Sequence, residues 1–238
     1  MQKLTPNEQR HAASLAEIKA SPYLETDCGD TDQLGQSPAE LLPLHRHNED
    51  WADVEFDQRM LDCALRFTGL GAQWEISEEE EDLPEIYGDF NLLHLHDVLK
   101  QPAGPAPLPG ATSFQQQFLS ELRIFDHTPR SGAGKLTYIR MQPRVTPLEI
   151  WYSAVADIGS DPYPPGYLKM DITYCEYLNA LLLTKGTYGW QYLYTDISLR
   201  GRAFHETVTY VQGMLEVFPE IFPQHDYTPL RDRLEARL

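Results

Sequence analysis

The sequence predicts an α+β fold: a small, mostly antiparallel sheet flanked by helices, with an N-terminal helical region. Three observations carry this. Segments of period two and period 3.6 come in runs instead of strict alternation. Two strand-like segments, Lys135–Gln142 and Leu148–Val155, are joined only by Pro143–Pro147, a connection short enough for an antiparallel pair. The C-terminal third is dense in residues that pack: of 17 Tyr and Trp, 10 lie between Trp151 and Tyr194.

Taken in order, Thr5 followed by Pro6 is a helix start, and a weak apolar stripe through Ala12, Leu15, Ala16 and Ile18 continues to Ser21-Pro22. Residues 22–38 are polar, carry Gly29, Gly35 and Pro38, and read as loop. A helix is expected from Trp51 to Phe67, with Phe56, Met60, Ala64 and Phe67 on one face, ended by Thr68-Gly69. Gln73–Ser77 reads as a short strand and Asp89–Leu99 as a strand leading into a short helix. The run 101–112 holds four prolines and two glycines and is the clearest linker. Ser113 with Gln116 forms a capping-box pattern, and Phe114, Phe118, Leu122 and Phe125 continue a helical stripe. Tyr167–Asp171 is a third strand. Thr173 with Glu176 is another capping box, opening a helix with Tyr174, Leu178, Leu181 and Leu182 buried and Gly186 as its stop. Trp190, Tyr192 and Tyr194 alternate like an extended segment closing the core. Ala203–Phe218 and a helix capped by Thr228 complete the chain. The organisation is an acidic, mixed region 1–100, a Pro/Gly-rich connection 101–112 and an α+β core region 113–238, read together as one domain.

Charge bounds the partners. The net charge is −17; residues 1–100 carry 7 Lys/Arg and 22 Asp/Glu, and residues 101–238 carry 12 and 14. Nucleic acid is disfavoured because phosphate binding needs a basic footprint, and anionic membrane surfaces are disfavoured likewise. The simpler reading of the acidity is solubility, since an acidic surface keeps a protein monodisperse; it also permits a basic protein as partner, since complementary charge speeds encounter. The acids are densest at Glu78, Glu79, Glu80, Glu81 and Asp82, the candidate partner-binding residues. No apolar run approaches the ~20 residues of a membrane span, and the polar N-terminal stretch lacks the apolar core of a secretory signal; a cytoplasmic location is the expectation. Cys28, Cys63 and Cys175 are odd in number and form no CxxC, so no disulfide or structural zinc is expected, with Cys63 and Cys175 read as small buried hydrophobes.

Motifs for chemistry are few. The pairs His45-x-His47 and His94-x-His96, with Glu49, Asp50 and Asp97 nearby, have spacing that suits a metal on a strand; surface histidines are the preferred reading, and no metal or cofactor is expected. Ser131–Lys135 has the flavour of a phosphate loop, but Pro129 and Leu136 break the pattern, and a hairpin-entry turn is expected. His205-Glu206 lacks the second histidine of a zinc protease helix, since Thr209 stands there. Asp157 and Asp161 are spaced as a glycosidase-like acid pair but sit in a turn-rich stretch. Trp151, Tyr188, Trp190 and Tyr192 are the candidate lining of a ligand cleft, with structural packing the simpler alternative.

Residues 165–167, Pro-Gly-Tyr, followed by LKMDITYCEYLNALLLTKGTYGWQYLYTD, a helix and FPEIFP, resemble bacterial members of the SUKH superfamily, the cell-wall-assembly-regulator-like fold. Leu83-Pro84-Glu85-Ile86-Tyr87 followed by Phe90 is a trace of that family's N-terminal entry. The similarity covers roughly residues 113–238 and lies in layout. It implies a non-enzymatic binding protein of the immunity type, which neutralises toxins, often nucleases with basic surfaces. Two other classes stand beside it: an enzyme with a site in the aromatic region 151–194, and a regulatory scaffold.

Overall fold

A computed structural model describes residues 3–28, 31, 34–37, 53–102, 104–107, 109–132, 134–153 and 166–238. Its frame is a seven-stranded sheet in which every strand pairs antiparallel with its sequence neighbours, in the order β1 to β7. The strands are β1 (Leu24–Cys28), β2 (Gly69–Ile76), β3 (Tyr87–Leu93), β4 (Leu122–His127), β5 (Leu136–Arg140), β6 (Glu149–Ser153) and β7 (Tyr167–Met170). The helices are α1 (Pro6–Ala20), α2 (Gln58–Cys63), α3 (Leu95–Lys100), α4 (Ser113–Glu121), α5 (Tyr174–Thr184), α6 (His205–Ile221) and α7 (Thr228–Glu235). The fold is α+β, with α1 at the N-terminal end.

Alternation along the strands sorts side chains onto two faces. Ile139, Ile150, Tyr152, Leu168 and Met170 join the main core with residues of α1, α5, α6 and α7. Tyr138, with half-buried Leu136, Trp151 and Tyr167, joins a second cluster closed by Phe118 of α4. Over its second half the sheet packs side chains on both faces, in keeping with the period-two rule, with Lys169 of β7 exposed. Members of the main core run from Leu15 of α1 to Leu234 of α7, so the acidic first hundred residues and the C-terminal helices share it.

Helix starts follow local chemistry. Thr5 with Glu8 and Thr173 with Glu176 each form a full capping box. The third box uses Thr112 and Gln115, one residue before the expected Ser113 and Gln116. Four elements differ from the sequence reading. Leu24–Cys28, read as loop, is an edge strand. The expected long helix from Trp51 to Phe67 is helical only over Gln58–Cys63, because Asp57 caps it late and Ala64 leaves it in extended backbone; Trp51 itself lies outside the described residues. The helix from Ser113 stops at Glu121, and the chain enters β4 directly at Leu122. Trp190–Tyr194 is a 3₁₀ turn, not an extended segment, and all five side chains are buried.

The cysteine expectation is corrected as well. Cys63 in α2 and Cys175 in the first turn of α5 are disulfide-bonded across 112 residues of sequence, and both are half-buried instead of core residues. The bridge joins α2 to α5, a contact the sequence spacing does not reveal.

Candidate functional site

The β2–β3 hairpin presents the acidic run. Glu75 pairs with Tyr87 across the ladder, the Ile76 amide donates to the Ile86 carbonyl, and residues 77–85 form the tip. Short turns order it: the Glu80 amide donates to Ser77 O and the Leu83 amide to Glu80 O, both at 3.0 Å. Glu78, Glu79, Glu81 and Asp82 are exposed and Glu80 half-exposed, with exposed Glu75 and Glu85 on the flanking limbs. No base among the described residues forms an ion pair with any of these acids. The run therefore keeps its field directed outward.

The returning limb of this hairpin runs into aromatic surface. Pro84 and Ile86 lie against Gly213 of α6, where a Cβ would stand 2.7 Å from Ile86 Cγ2. Beside them Tyr87 of β3, Tyr188 and Tyr210 of α6 form a triangle with ring centroids 5.3, 4.9 and 5.3 Å apart. All three rings are half-buried. Tyrosines of this kind, apolar in body and polar at the tip, are enriched where proteins meet. Tyr188 is placed by the turn after α5: Lys185 and Gly186 both adopt positive φ, and at Gly186 a Cβ would meet Phe90 at 2.6 Å, so only glycine fits. The turn then pairs with β3, Tyr188 N–H donating to Tyr87 O and Asp89 N–H to Gly186 O.

That pairing splits β3 from β4, and the fork holds a buried polar network. The Asp89 carboxylate accepts the Arg130 and Ser131 amides at 3.0 and 2.7 Å through Oδ2, while Oδ1 is buried without a hydrogen-bond partner among the described residues. A cavity of about 10 Å³, the room of a single water, is lined by Asp89, Thr128, Lys135, Tyr188 and Gln191 among others. Buried Lys135 places Nζ 4.9 Å above the Tyr188 ring. Next to it Asp126 accepts the Tyr177 hydroxyl at 2.6 Å and the Asn91 amide at 2.9 Å. Burial pushes its carboxyl up to about 6 despite those bonds. This network was missed in the sequence because isolated strand aspartates carry no spacing signal.

The four aromatic residues considered as a cleft lining do not converge. Trp190 and Tyr192 are fully buried within the 3₁₀ turn, and Trp151 lies on the opposite face of the sheet with its Nε1 donating to Glu149 at 2.9 Å. Only Tyr188 reaches the surface site. The Ser131–Lys135 stretch follows strand β4, not a helix, and leads into another antiparallel strand, so it is a hairpin loop without the helix that a phosphate loop requires. His94 and His96 are 5% and 7% exposed, buried where surface residues were expected; burial, ahead of other influences, holds His94 below the ordinary imidazole range. His45, His47, Asp157 and Asp161 lie outside the described residues.

Fold and surface together define a class: an α+β meander-sheet protein with an exposed acidic hairpin beside clustered tyrosines. Comparisons with family models, curated proteins and solved structures find no match.

Proposed function

We propose that this protein is a non-enzymatic binding module whose partner is a basic protein. The observation that carries this is the hairpin tip, where five consecutive acids stand without a neutralising base among the described residues and adjoin three half-buried tyrosines. An interface needs an aromatic anchor that can be desolvated and a charged rim that steers approach, and this face supplies both. The resemblance to the SUKH superfamily supports an immunity-type role, in which the basic partner is a toxin. No helix among the described residues is long and apolar enough to cross a membrane. A cytoplasmic site of action belongs to this proposal, although the Cys63–Cys175 disulfide is of a kind that persists mainly in oxidising compartments.

The test replaces Glu78, Glu79, Glu80 and Glu81 by Gln and Asp82 by Asn. Affinity capture with the unmodified chain should recover a basic protein. Its association should slow as salt rises, because attraction between exposed charges is screened over ~8 Å at physiological ionic strength. The fivefold variant should associate more slowly, lose most of that salt dependence and keep its thermal stability, since exposed charges contribute little to folding. A partner whose association rate ignores both salt and the substitutions would end the electrostatic reading.

A further inference from the structure

At the junction of β3 and α3 the chain reads His94-Leu95-His96-Asp97. His94 is the N-cap of α3 in extended backbone, and its side chain does not cap the helix. Leu95 turns into the core, 1% exposed. His96 and Asp97 then follow on the first turn, so both rings and the carboxylate gather on one side. One donor atom from each of the three lies within 4.8 Å of the other two. His94 Nδ1 is 3.9 Å from Asp97 Oδ2, His96 Nδ1 is 3.5 Å from Asp97 Oδ1, and the ring centroids are 6.0 Å apart. We infer that His94, His96 and Asp97 form a binding site for one divalent transition-metal ion of the zinc type.

Three features favour an ion over a plain buried pair. The first is the tautomer of His94. Its Nε2 stands 3.2 Å from the Gln36 carbonyl, which can only accept, so Nε2 carries the proton and Nδ1 presents a lone pair toward the cluster. A ring N–H tied to a backbone carbonyl is the usual outer-shell partner of a metal-ligating histidine. The contact is built in by backbone: a Cβ on Gly35 would sit 3.1 Å from the His94 Cε1 and Nε2, so the segment 35–36 lies directly on the ring. The second is His96, whose ring is buried yet makes no hydrogen bond among the described residues. Both separations to Asp97 exceed hydrogen-bond length, so neither Nδ1 is satisfied by the carboxylate. The third is access. The Asp97 side chain is 66% exposed, leaving one side of the cluster open to solvent. Its carboxylate is free to swing in by the small amount needed, since ligands at ~2.0–2.2 Å in tetrahedral array stand ~3.3 Å apart.

The donor set selects the ion. Two imidazole nitrogens and one carboxylate suit zinc and its neighbours, whereas magnesium and calcium demand oxygen shells. Three protein ligands leave a fourth position for water, the open kind of zinc site. The sequence carried half of this: the His-x-His spacing and Asp97 were visible, but the burial that freezes the rings and the Gln36 carbonyl that sets the tautomer were not.

The experiment uses the full chain stripped with chelator and titrated with Zn²⁺ by calorimetry, with Co²⁺ as a visible-absorbing stand-in and Mg²⁺ as a third arm. The expected result is one equivalent of Zn²⁺, a cobalt spectrum with ligand-field bands, no Mg²⁺ binding, and a rise in melting temperature with Zn²⁺. Asp97→Ala, at an exposed position that leaves folding intact, should weaken Zn²⁺ binding at least ~10-fold, the loss that removing even an outer-shell partner brings, and should abolish the thermal shift. His96→Gln should lose the cobalt bands. Absence of saturable Zn²⁺ binding overturns the site, and so does one equivalent that survives Asp97→Ala unchanged, which would put the ion elsewhere on the chain.

Discussion

Asp126 shows how one buried group writes a pH dependence into the molecule. It is 2% exposed, and burial raises its carboxyl from 3.8 to about 6 against the pull of Tyr177 and of the Asn91 and His127 amides. A raised folded value means that the native state holds its proton while the unfolded chain has released it. The native state is therefore unpenalised below pH 4 and progressively disfavoured as pH climbs from there through about 6. Asp126→Asn removes the ionisation and keeps the shape: the amide oxygen accepts from Asn91, and the amide nitrogen donates to the Tyr177 hydroxyl, which turns its proton to Thr137 Oγ1 at 3.1 Å. The variant should be more stable than the parent at pH 7.5 by on the order of 2–3 kcal/mol, from a shift of about two pK steps, and equal to it near pH 4. Urea titrations at the two pH values measure this. A parent more stable at pH 7.5 would mean that the ionised carboxylate is wanted there, and would turn the fork from scaffold into site.

At the scale of elements, α1 is held by a carboxylate serving two structures. Glu8 accepts the Thr5 amide at 2.7 Å in the capping box. It also accepts the Arg66 amide at 3.0 Å and the Arg66 guanidinium at 2.8 and 2.6 Å, on the segment between α2 and β2. Burial alone would raise its carboxyl, but the Arg66 side chain and the two amides hold it down at about 2. Stability from this group is full above about 4.5 and drains away as pH falls toward 2. Glu8→Gln should cost about 3 kcal/mol at neutral pH, as loss of one partner of a buried pair does. The gap from the parent should narrow at pH 3, and thermal melts at both pH values check it. The box itself was legible in the half read from Thr5 and Pro6; Arg66 was not, because nothing in the sequence reports a partner 58 residues away. Elements were legible where local chemistry and burial agree, as in α5, whose box and stripe coincide. They failed where burial mimics another period. Phe118 and Leu122 share one cluster at helical spacing although a strand begins between them, with no Gly or Pro to mark it. Trp190–Tyr194 alternates in type but not in burial, so its period of two was only apparent. Met60, Ala64 and Phe67 are buried as read, yet two of the three lie outside the helix whose face they were taken to form.

The whole molecule joins an acidic front to a nearly neutral back, and the joint is made of contacts that neither half can replace. Trp74 of β2 stacks on Phe218 of α6 at 5.5 Å and donates from Nε1 to the Lys185 carbonyl at 2.6 Å. Lys185, fully buried, reaches back to Ser14 and Glu17 of α1 at 2.7 and 2.6 Å. Asp89 holds the β4–β5 loop through two amides, and Phe90 fills the space over Gly186. Cutting the chain within 104–107 would expose each of these: a buried ammonium without its carboxylate, an indole without its acceptor, and the apolar faces of β2 and β3. With native domains stable by only ~5–15 kcal/mol, losing several buried contacts of ~1–3 kcal/mol each removes the margin. The front half would also carry most of the net charge of −17 on its own, with added self-repulsion. Residues 1–104 and 105–238, expressed separately, should therefore each lack a cooperative thermal transition, and the two mixed should regain one. This outcome bears on the resemblance as well. The proposed SUKH resemblance rests on roughly residues 113–238, and a self-contained module of that extent would melt cooperatively alone. Such a melt from 105–238 would make the acidic front an attachment to an independent fold; its absence would mean that the acidic hairpin and the C-terminal helices fold as parts of one core.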